Sequence, residues 1–128
     1  MLAAPKLGIS TAEVFERHPS RLTWDRQEAT VYAFAAGLRR RLGWRHLYND
    51  LEGTVVGGWP EVGEGLRVLR ASGPLHAGVS GSGAASFAVF DDPDAARRAV
   101  VGLPEGWWVH VGTTLSMRVA QPNVVVEE

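Results

Sequence analysis

Apolar residues recur at three- and four-residue spacing in two long stretches of the chain, and this spacing predicts helices that each bury one stripe. The first stretch covers residues 24–42, and Gly43 follows it at a position where glycine can close a helix with a left-handed cap. The second stretch contains Val62, Leu66 and Leu69. The pattern therefore predicts two long amphipathic helices.

Two glycines, Gly63 and Gly65, interrupt the second of these predicted helices. A glycine inside a helix weakens it by about 1 kcal/mol relative to alanine. We therefore expect tertiary packing, rather than intrinsic helix propensity, to hold this helix in place.

Two shorter helices are indicated by the residues at their ends. Residues 10–13, Ser-Thr-Ala-Glu, form a capping-box pattern, and the helix that follows should end just before Pro19. Asp92 as a cap and Pro93 in the first turn predict another helix, which should end at Gly102. Both segments are expected to be helical for reasons local to the chain.

Strand patterns follow in the second half of the chain. Residues 86–90 read as a buried strand and residues 107–113 as a strong strand, whereas residues 124–126 either add a short edge strand or fray. The connection between the first two strands is long enough for one helix to cover a face of the sheet. The predicted class is α+β, with one domain over residues 1–128.

Composition narrows the possible functions. The 128 residues are 45% hydrophobic, which is enough to bury a core, and the net charge of -1 gives no basic field that would attract nucleic acid. There are no cysteines, which excludes disulfides and thiolate metal sites, and no apolar run approaches the roughly 20 residues that span a bilayer. We expect a soluble, cytoplasmic protein with neither nucleic acid nor membrane as a partner.

The densest run of small residues lies at positions 77–85, and its central part, residues 79–84, reads Val-Ser-Gly-Ser-Gly-Ala. Gly81 and Gly83 lack a Cβ, so successive backbone amides can turn toward one point and bind the oxygens of a phosphate, with the hydroxyls of Ser80 and Ser82 as further donors. A plain tight turn explains the same residues. The run lacks the lysine of a Walker A loop and follows no Rossmann unit, so it belongs to neither class.

Three segments, in the same order, resemble one family. Residues 5–15, residues 48–52 (Tyr-Asn-Asp-Leu-Glu) and residues 78–90 are together similar to the carboxyl-terminal half of the 4-diphosphocytidyl-2-C-methyl-D-erythritol kinases, within the GHMP kinase superfamily. The resemblance implies a ferredoxin-like GHMP kinase C-terminal domain, an antiparallel sheet with helices packed on one face. It also implies that this domain packs against a separate amino-terminal ATP-binding domain, which we expect to be absent from this chain.

The resemblance also implies a reaction and a set of binding residues. The family uses ATP and Mg²⁺ to phosphorylate a hydroxyl of a cytidine diphosphate sugar-alcohol in non-mevalonate isoprenoid biosynthesis. Residues matching Thr11 and Phe15 lie beside the cytidine, and the loop matching Ser80, Gly81, Ser82 and Gly83 lies near the substrate phosphates. These six positions are the substrate-binding candidates.

Each candidate also has a structural explanation. Phe15 on a capped helix is often a core residue, and Thr11 can serve only to support the helix cap. Asn49 and Asp50 are explained better as caps of the helix that follows them than as catalytic groups. The four histidines are scattered without metal-binding spacing, so we expect surface or packing roles for them.

The parts of a kinase that act on ATP have no match in the chain. Phosphoryl transfer needs a phosphate cradle, charge neutralisation and a residue that orients the attacking hydroxyl. In the family these come from the amino-terminal half, and Lys6, the only lysine, lies in the wrong segment. We therefore expect no catalytic residue or metal site in this chain, no tight binding of ATP or Mg²⁺, no turnover by the chain alone, and self-association through the exposed domain interface.

Two other functions fit the same sequence. The first is a non-catalytic ligand-binding or regulatory module of ferredoxin-like fold, because fold does not fix function. The second is the carboxyl-terminal half of another GHMP kinase, of the homoserine or mevalonate type.

Overall fold

The computed structural model describes residues 1–19, 37 and 43–114 of the chain. Apart from residue 37, the helix predicted at residues 24–42 lies outside the described residues, as does the strand predicted at residues 124–126. The strands are β1 (Leu2–Ala4), β2 (His76–Val79), β3 (Ser86–Val89) and β4 (Trp108–His110). The α-helices are α1 (Thr11–Arg17), α2 (Glu52–Gly58), α3 (Pro60–Ala71) and α4 (Pro93–Val101), and a 3₁₀ helix covers Gly43–His46.

The four strands form one sheet in the order β2-β3-β1-β4. Each neighbouring pair is antiparallel, so β3 and β4 run in the same direction with β1 inserted between them. This split β-α-β arrangement, with helices between β1 and β2, a direct turn from β2 to β3, and α4 between β3 and β4, is the ferredoxin-like topology. The predicted α+β class and ferredoxin-like fold are confirmed.

One face of the sheet is buried and the other is open. Because side chains alternate along a strand, the residues that face each other across neighbouring strands share a face. The buried face packs with residues of α1, α2 and α3 in one core, which contains Ala3, Ala77, Val79, Ala88, Val14, Val55, Val62, Leu66 and Leu69. The opposite face carries Leu2, Phe87 and Trp108, of which Leu2 and Trp108 are exposed.

The caps of the two short helices form as the sequence predicts, with one difference. The Ser10 hydroxyl accepts the Glu13 amide at 3.4 Å, and the Asp92 carboxylate accepts two amides at the start of α4, at 3.0 and 3.1 Å. The Glu13 carboxylate pairs with Arg17, one turn later, instead of returning to Ser10. A cation at i+4 is a strong competitor for that carboxylate.

Two strands differ from the sequence pattern. Strand β2 (His76–Val79) overlaps the start of the small-residue run and was not predicted. Its side chains are too small to show the alternation typical of a strand. Strand β4 covers only Trp108–His110 instead of residues 107–113. Among the described residues its one partner is β1, which has three residues, so this ladder covers three pairs.

Helix α3 is held by close packing at its glycines, as expected. A Cβ on Gly65 would lie 1.9 Å from Cη2 of Trp107, so the indole occupies the space that a larger residue would need. A Cβ on Gly63 would lie 3.1 Å from Cγ1 of Val56 in α2. The glycines cost helix propensity and permit the approach of a tryptophan and a neighbouring helix.

Candidate functional site

The glycine-rich turn joins β2 to β3. The Ser80 amide donates to the Ala85 carbonyl at 2.8 Å, and the Gly83 amide donates to the Ser80 carbonyl at 3.0 Å. Gly81 and Gly83 adopt φ angles of +57° and +81°, in the left-handed region that favours glycine. The turn is therefore closed by its own backbone and needs glycine at both positions.

The four amides from Ser80 to Gly83 do not all have partners among the described residues. The amides of Ser80 and Gly83 bond within the turn, whereas no partner among the described residues accepts from Gly81 or Ser82. Gly83 faces the core, since a Cβ there would lie 3.0 Å from Cγ1 of Val55. The idea that all amides from Ser80 to Gly83 converge on one anion is wrong, because two of them are consumed in closing the turn.

The turn is fastened from outside by Asn49. Its Nδ2 donates to the carbonyls of Val79 and Gly81, both at 2.9 Å, and its Oδ1 accepts the Leu51 amide at 3.1 Å. The cap residue of α2 is Leu51, which makes no side-chain cap bond. The interpretation of Asn49 as a cap is confirmed in part, because its Oδ1 accepts the Leu51 amide just before α2 while its Nδ2 serves the turn. Asp50 makes no cap bond to the described residues.

A second residue of the 48–52 segment, Glu52, holds the strand that leads into the turn. Its Oε2 accepts the Val79 amide at 3.0 Å, and its Oε1 accepts from Nη2 of Arg70 at 2.5 Å. Arg70 in turn donates from Nη2 to the Ala77 carbonyl at 3.2 Å. Strand β2 lies at the edge of the sheet, so this pair satisfies outward-facing backbone groups that no neighbouring strand reaches.

An open cleft of about 760 Å³ borders the turn. It lies where the 47–53 segment overhangs the open face of the sheet beside β2, and it reaches the turn at Ser80 and Gly81. Its wall combines rings with polar groups, among them Tyr48, Asn49, Glu52, Arg70, His76 and Phe87. The Ser80 and Gly81 side of the turn thus faces a groove, whereas Gly83 packs against the core.

A second surface joins α1 to the same turn. The hydroxyls of Thr11 and Ser82 lie 2.8 Å apart, within hydrogen-bond distance. Phe15 follows Thr11 by four residues, so both lie on one face of α1, and the Phe15 side chain is 59% exposed. The core interpretation of Phe15 is therefore wrong. The structure brings Thr11 to Ser82 and leaves an exposed aromatic ring one helical turn away.

His76 lines the cleft, and no sequence pattern predicted this position. Its ring centroid lies 5.7 Å from that of Phe87, and the imidazole is partly buried. Burial lowers the pKa of His76 below its usual 6.5; the nearby Arg70 cation lowers it further, and the Glu52 carboxylate opposes both. Its position at the start of a strand hidden in a small-residue run carried no recognisable signal.

The lowered pKa of His76 predicts a pH dependence of stability. Between the folded pKa and 6.5 the unfolded chain binds more protons, so the contribution is present above pH 6.5 and is lost as pH falls through that window. The free energy of unfolding, measured by urea titration from pH 7.5 to 5.0, should therefore fall less steeply in His76→Gln than in the wild type. Equal slopes would show that His76 titrates alike in both states.

Within residues 1–19 and 43–114 no three His, Asp or Glu side chains are grouped so that they could hold a metal ion. The donor set needed for Mg²⁺, several oxygen ligands around one point, is not assembled there. No helix among the described residues is long and apolar enough to cross a membrane.

The fold and the site define a ferredoxin-like α+β domain whose glycine-rich turn borders an open cleft. Residues 53–107, which include that turn, match the family model for the GHMP kinases C terminal. Over these residues the chain is similar to the C-terminal domain of the GHMP kinases.

Curated relatives give a more specific comparison. The 4-diphosphocytidyl-2-C-methyl-D-erythritol kinase of Rhizobium etli is 35% identical over 119 residues, which is 91% of this chain and 38% of that protein. The enzyme of the same name from Nitrobacter winogradskyi is 46% identical over 69 residues, 51% of this chain and 22% of that protein. The chain therefore spans well under half of the length of these relatives.

Two solved structures share the fold. A 4-(cytidine 5'-diphospho)-2C-methyl-D-erythritol kinase superposes with a TM-score of 0.64 and 29% identity, over 84% of this chain and 40% of that one. Homoserine kinase from Cytophaga hutchinsonii superposes with a TM-score of 0.68 at 19% identity, over 82% of this chain and 36% of that one. At that identity the second comparison shows the fold alone.

Proposed function

We propose that the chain is the substrate-side half of an ATP-dependent kinase that phosphorylates 4-diphosphocytidyl-2-C-methyl-D-erythritol, in non-mevalonate isoprenoid biosynthesis. The observation that carries this proposal is the hydrogen bond between Thr11 and Ser82. It joins the α1 segment and the glycine-rich turn, two of the three segments that resemble the family, into one exposed surface. That surface offers an aromatic ring and backbone donors side by side.

Each part of this surface suits one part of the proposed substrate. The exposed Phe15 ring can stack on the cytosine, an interaction worth about 1 to 3 kcal/mol per base. The outward amides of Gly81 and Ser82 suit the oxygens of the diphosphate, because positive-φ turns present amides to anions. Thr11 and Ser82 hydroxyls fix the distance between these two elements.

The phosphoryl-transfer chemistry is assigned to a second, amino-terminal domain. We propose that residues 1–128 form one domain, that this domain supplies no catalytic residue, and that ATP and Mg²⁺ bind to its partner domain. The chain's own residues bind and orient the acceptor molecule.

A homoserine kinase domain with the same fold has no cytidine to bind and no reason to expose a phenylalanine beside its turn. The exposure of Phe15 therefore favours the cytidine substrate over that alternative. A non-catalytic module would lack a kinase loop in the same gene.

The test is a comparison of the chain with a longer protein. If the coding sequence upstream of Met1 continues in frame with a Pro-x-x-x-Gly-Leu-Gly-Ser-Ser-type loop, the longer protein should transfer the γ-phosphate of ATP to 4-diphosphocytidyl-2-C-methyl-D-erythritol. The chain alone should show no turnover, measured as ADP release with this substrate. Turnover by the chain alone at ordinary kinase rates, or none by the longer protein, would contradict the proposal.

A further inference from the structure

The outward amides of the turn are directed by the carbonyls of the same peptide groups. In a planar trans peptide the C=O and N–H bonds point in opposite directions. The Gly81 carbonyl is bonded to Asn49, so the Ser82 amide in the same peptide points away from Asn49. The Ser80 carbonyl is bonded to the Gly83 amide, so the Gly81 amide likewise points out of the turn.

Only one of these two peptides is held by the turn itself. The Ser80–Gly81 peptide is fixed by the internal bond to Gly83, whereas the Gly81–Ser82 peptide is fixed by the side chain of Asn49. Nothing else among the described residues bonds to the Gly81 carbonyl. With glycine on one side, this peptide has low barriers to rotation, and a rotated peptide would present its carbonyl to the ligand.

Asn49 is itself well placed to act as a clamp. Its Oδ1 is held by the Leu51 amide, which fixes the side-chain amide plane and aims Nδ2 at the turn. The same Nδ2 also bonds to the Val79 carbonyl, and Glu52 holds the Val79 amide. Two residues of the 48–52 segment therefore hold the Val79 amide, the Val79 carbonyl and the Gly81 carbonyl.

We propose that Asn49 is a positioning residue that keeps the Gly81–Ser82 peptide oriented with its amide outward, so that the turn can bind the oxygens of a diphosphate. The residue does not touch the anion. The proposal rests on the function proposed above, in which the turn receives the substrate diphosphate. The 48–52 segment then has a role in ligand binding that is distinct from both helix capping and catalysis.

The test uses inorganic pyrophosphate as the probe and the backbone amide NMR signals of the ¹⁵N-labelled chain as the readout. In the wild type the Gly81 and Ser82 signals should shift on titration. Asn49→Leu, which is close in size, carries no charge and lacks both donors, should bind pyrophosphate at least tenfold more weakly, with the largest loss of shift at Ser82. The signals of α4 should not change, which a general structural effect would not reproduce.

The matched control is Asp50→Leu, the same replacement at the adjacent exposed position. It removes an exposed carboxylate that forms no hydrogen bond to the turn among the described residues, so this variant should bind pyrophosphate at least as tightly as the wild type. If Asn49→Leu does not fold, Asn49→Ser, which keeps one small donor, should show an intermediate loss. A folded Asn49 variant with wild-type affinity and wild-type Ser82 shifts would overturn the positioning role.

The two proposals fail in different ways. If the wild type binds pyrophosphate and the folded Asn49 variants bind it equally well, the clamp is wrong and the proposed function stands. If pyrophosphate shifts no signal of the turn in the wild type, the turn does not receive a diphosphate in this chain and both proposals lose this support.

Discussion

Gly65→Ala is expected to lower the free energy of unfolding by about 2 to 3 kcal/mol, at the upper part of the range for overpacked positions. The added Cβ would lie 1.9 Å from Cη2 of Trp107, so either the indole leaves its place on α3 or the helix shifts. Trp107 is packed against the core, and moving it exposes apolar surface. Thermal unfolding followed by circular dichroism should show a melting temperature lower by about 10 °C.

Gly57→Ala is the matched control for this prediction. Gly57 also lies in a helix, and a Cβ there would meet nothing within 4 Å. Because alanine is the better helix former, this change should be neutral or stabilise the chain by up to about 1 kcal/mol. Equal melting temperatures for the two variants would show that the Trp107 contact does not constrain residue 65.

Phe15→Ala, made in the protein that carries both kinase halves, is expected to weaken binding of the cytidine substrate by about 5- to 150-fold, which corresponds to the 1 to 3 kcal/mol of a base stacked on an aromatic ring. ATP binding should stay unchanged, because the proposed ATP site lies in the other domain. Isothermal titration with each ligand separately measures both affinities. An equal loss for the two ligands would indicate that Phe15 packs between domains instead of stacking on cytosine.

The control for this prediction is Trp108→Ala. Trp108 is an aromatic residue of nearly the same exposure, 56% against 59%, but it lies on β4, at the edge of the sheet opposite to β2. The cytidine substrate should bind the Trp108 variant as it binds the wild type. If both variants lose affinity alike, the loss reflects exposed aromatic area in general and not the position of Phe15 beside the turn.

The features that the sequence predicted correctly are those with local causes. Asp92 before Pro93 specifies where α4 begins, whatever the rest of the chain does, and the stripe of Val62, Leu66 and Leu69 specifies the buried side of α3. The resemblance to the GHMP kinases supplied the topology, because no local rule orders the strands of a sheet. Periodicity alone did not reveal β2, whose side chains are too small to alternate visibly.

The site could be predicted only as a set of candidates, and its internal bonds could not. Asn49 contacts Val79 across 30 residues of sequence, and Thr11 contacts Ser82 across 71, so no spacing rule connects them. The orientation of each peptide in the turn depends on those distant partners. The substrate roles of Thr11, Phe15 and the turn residues stay predictions, now with a geometry that the experiments above can test.

The ion pair of Glu52 and Arg70, which bonds to the edge strand β2, has a consequence beyond the site. The Val79 amide and the Ala77 carbonyl would otherwise form a template on which a foreign strand could grow. Side chains from two helices already bond to these groups, so another polypeptide cannot readily pair with this edge strand. The domain is thereby protected against fibril-like stacking at the strand that leads into its glycine-rich turn.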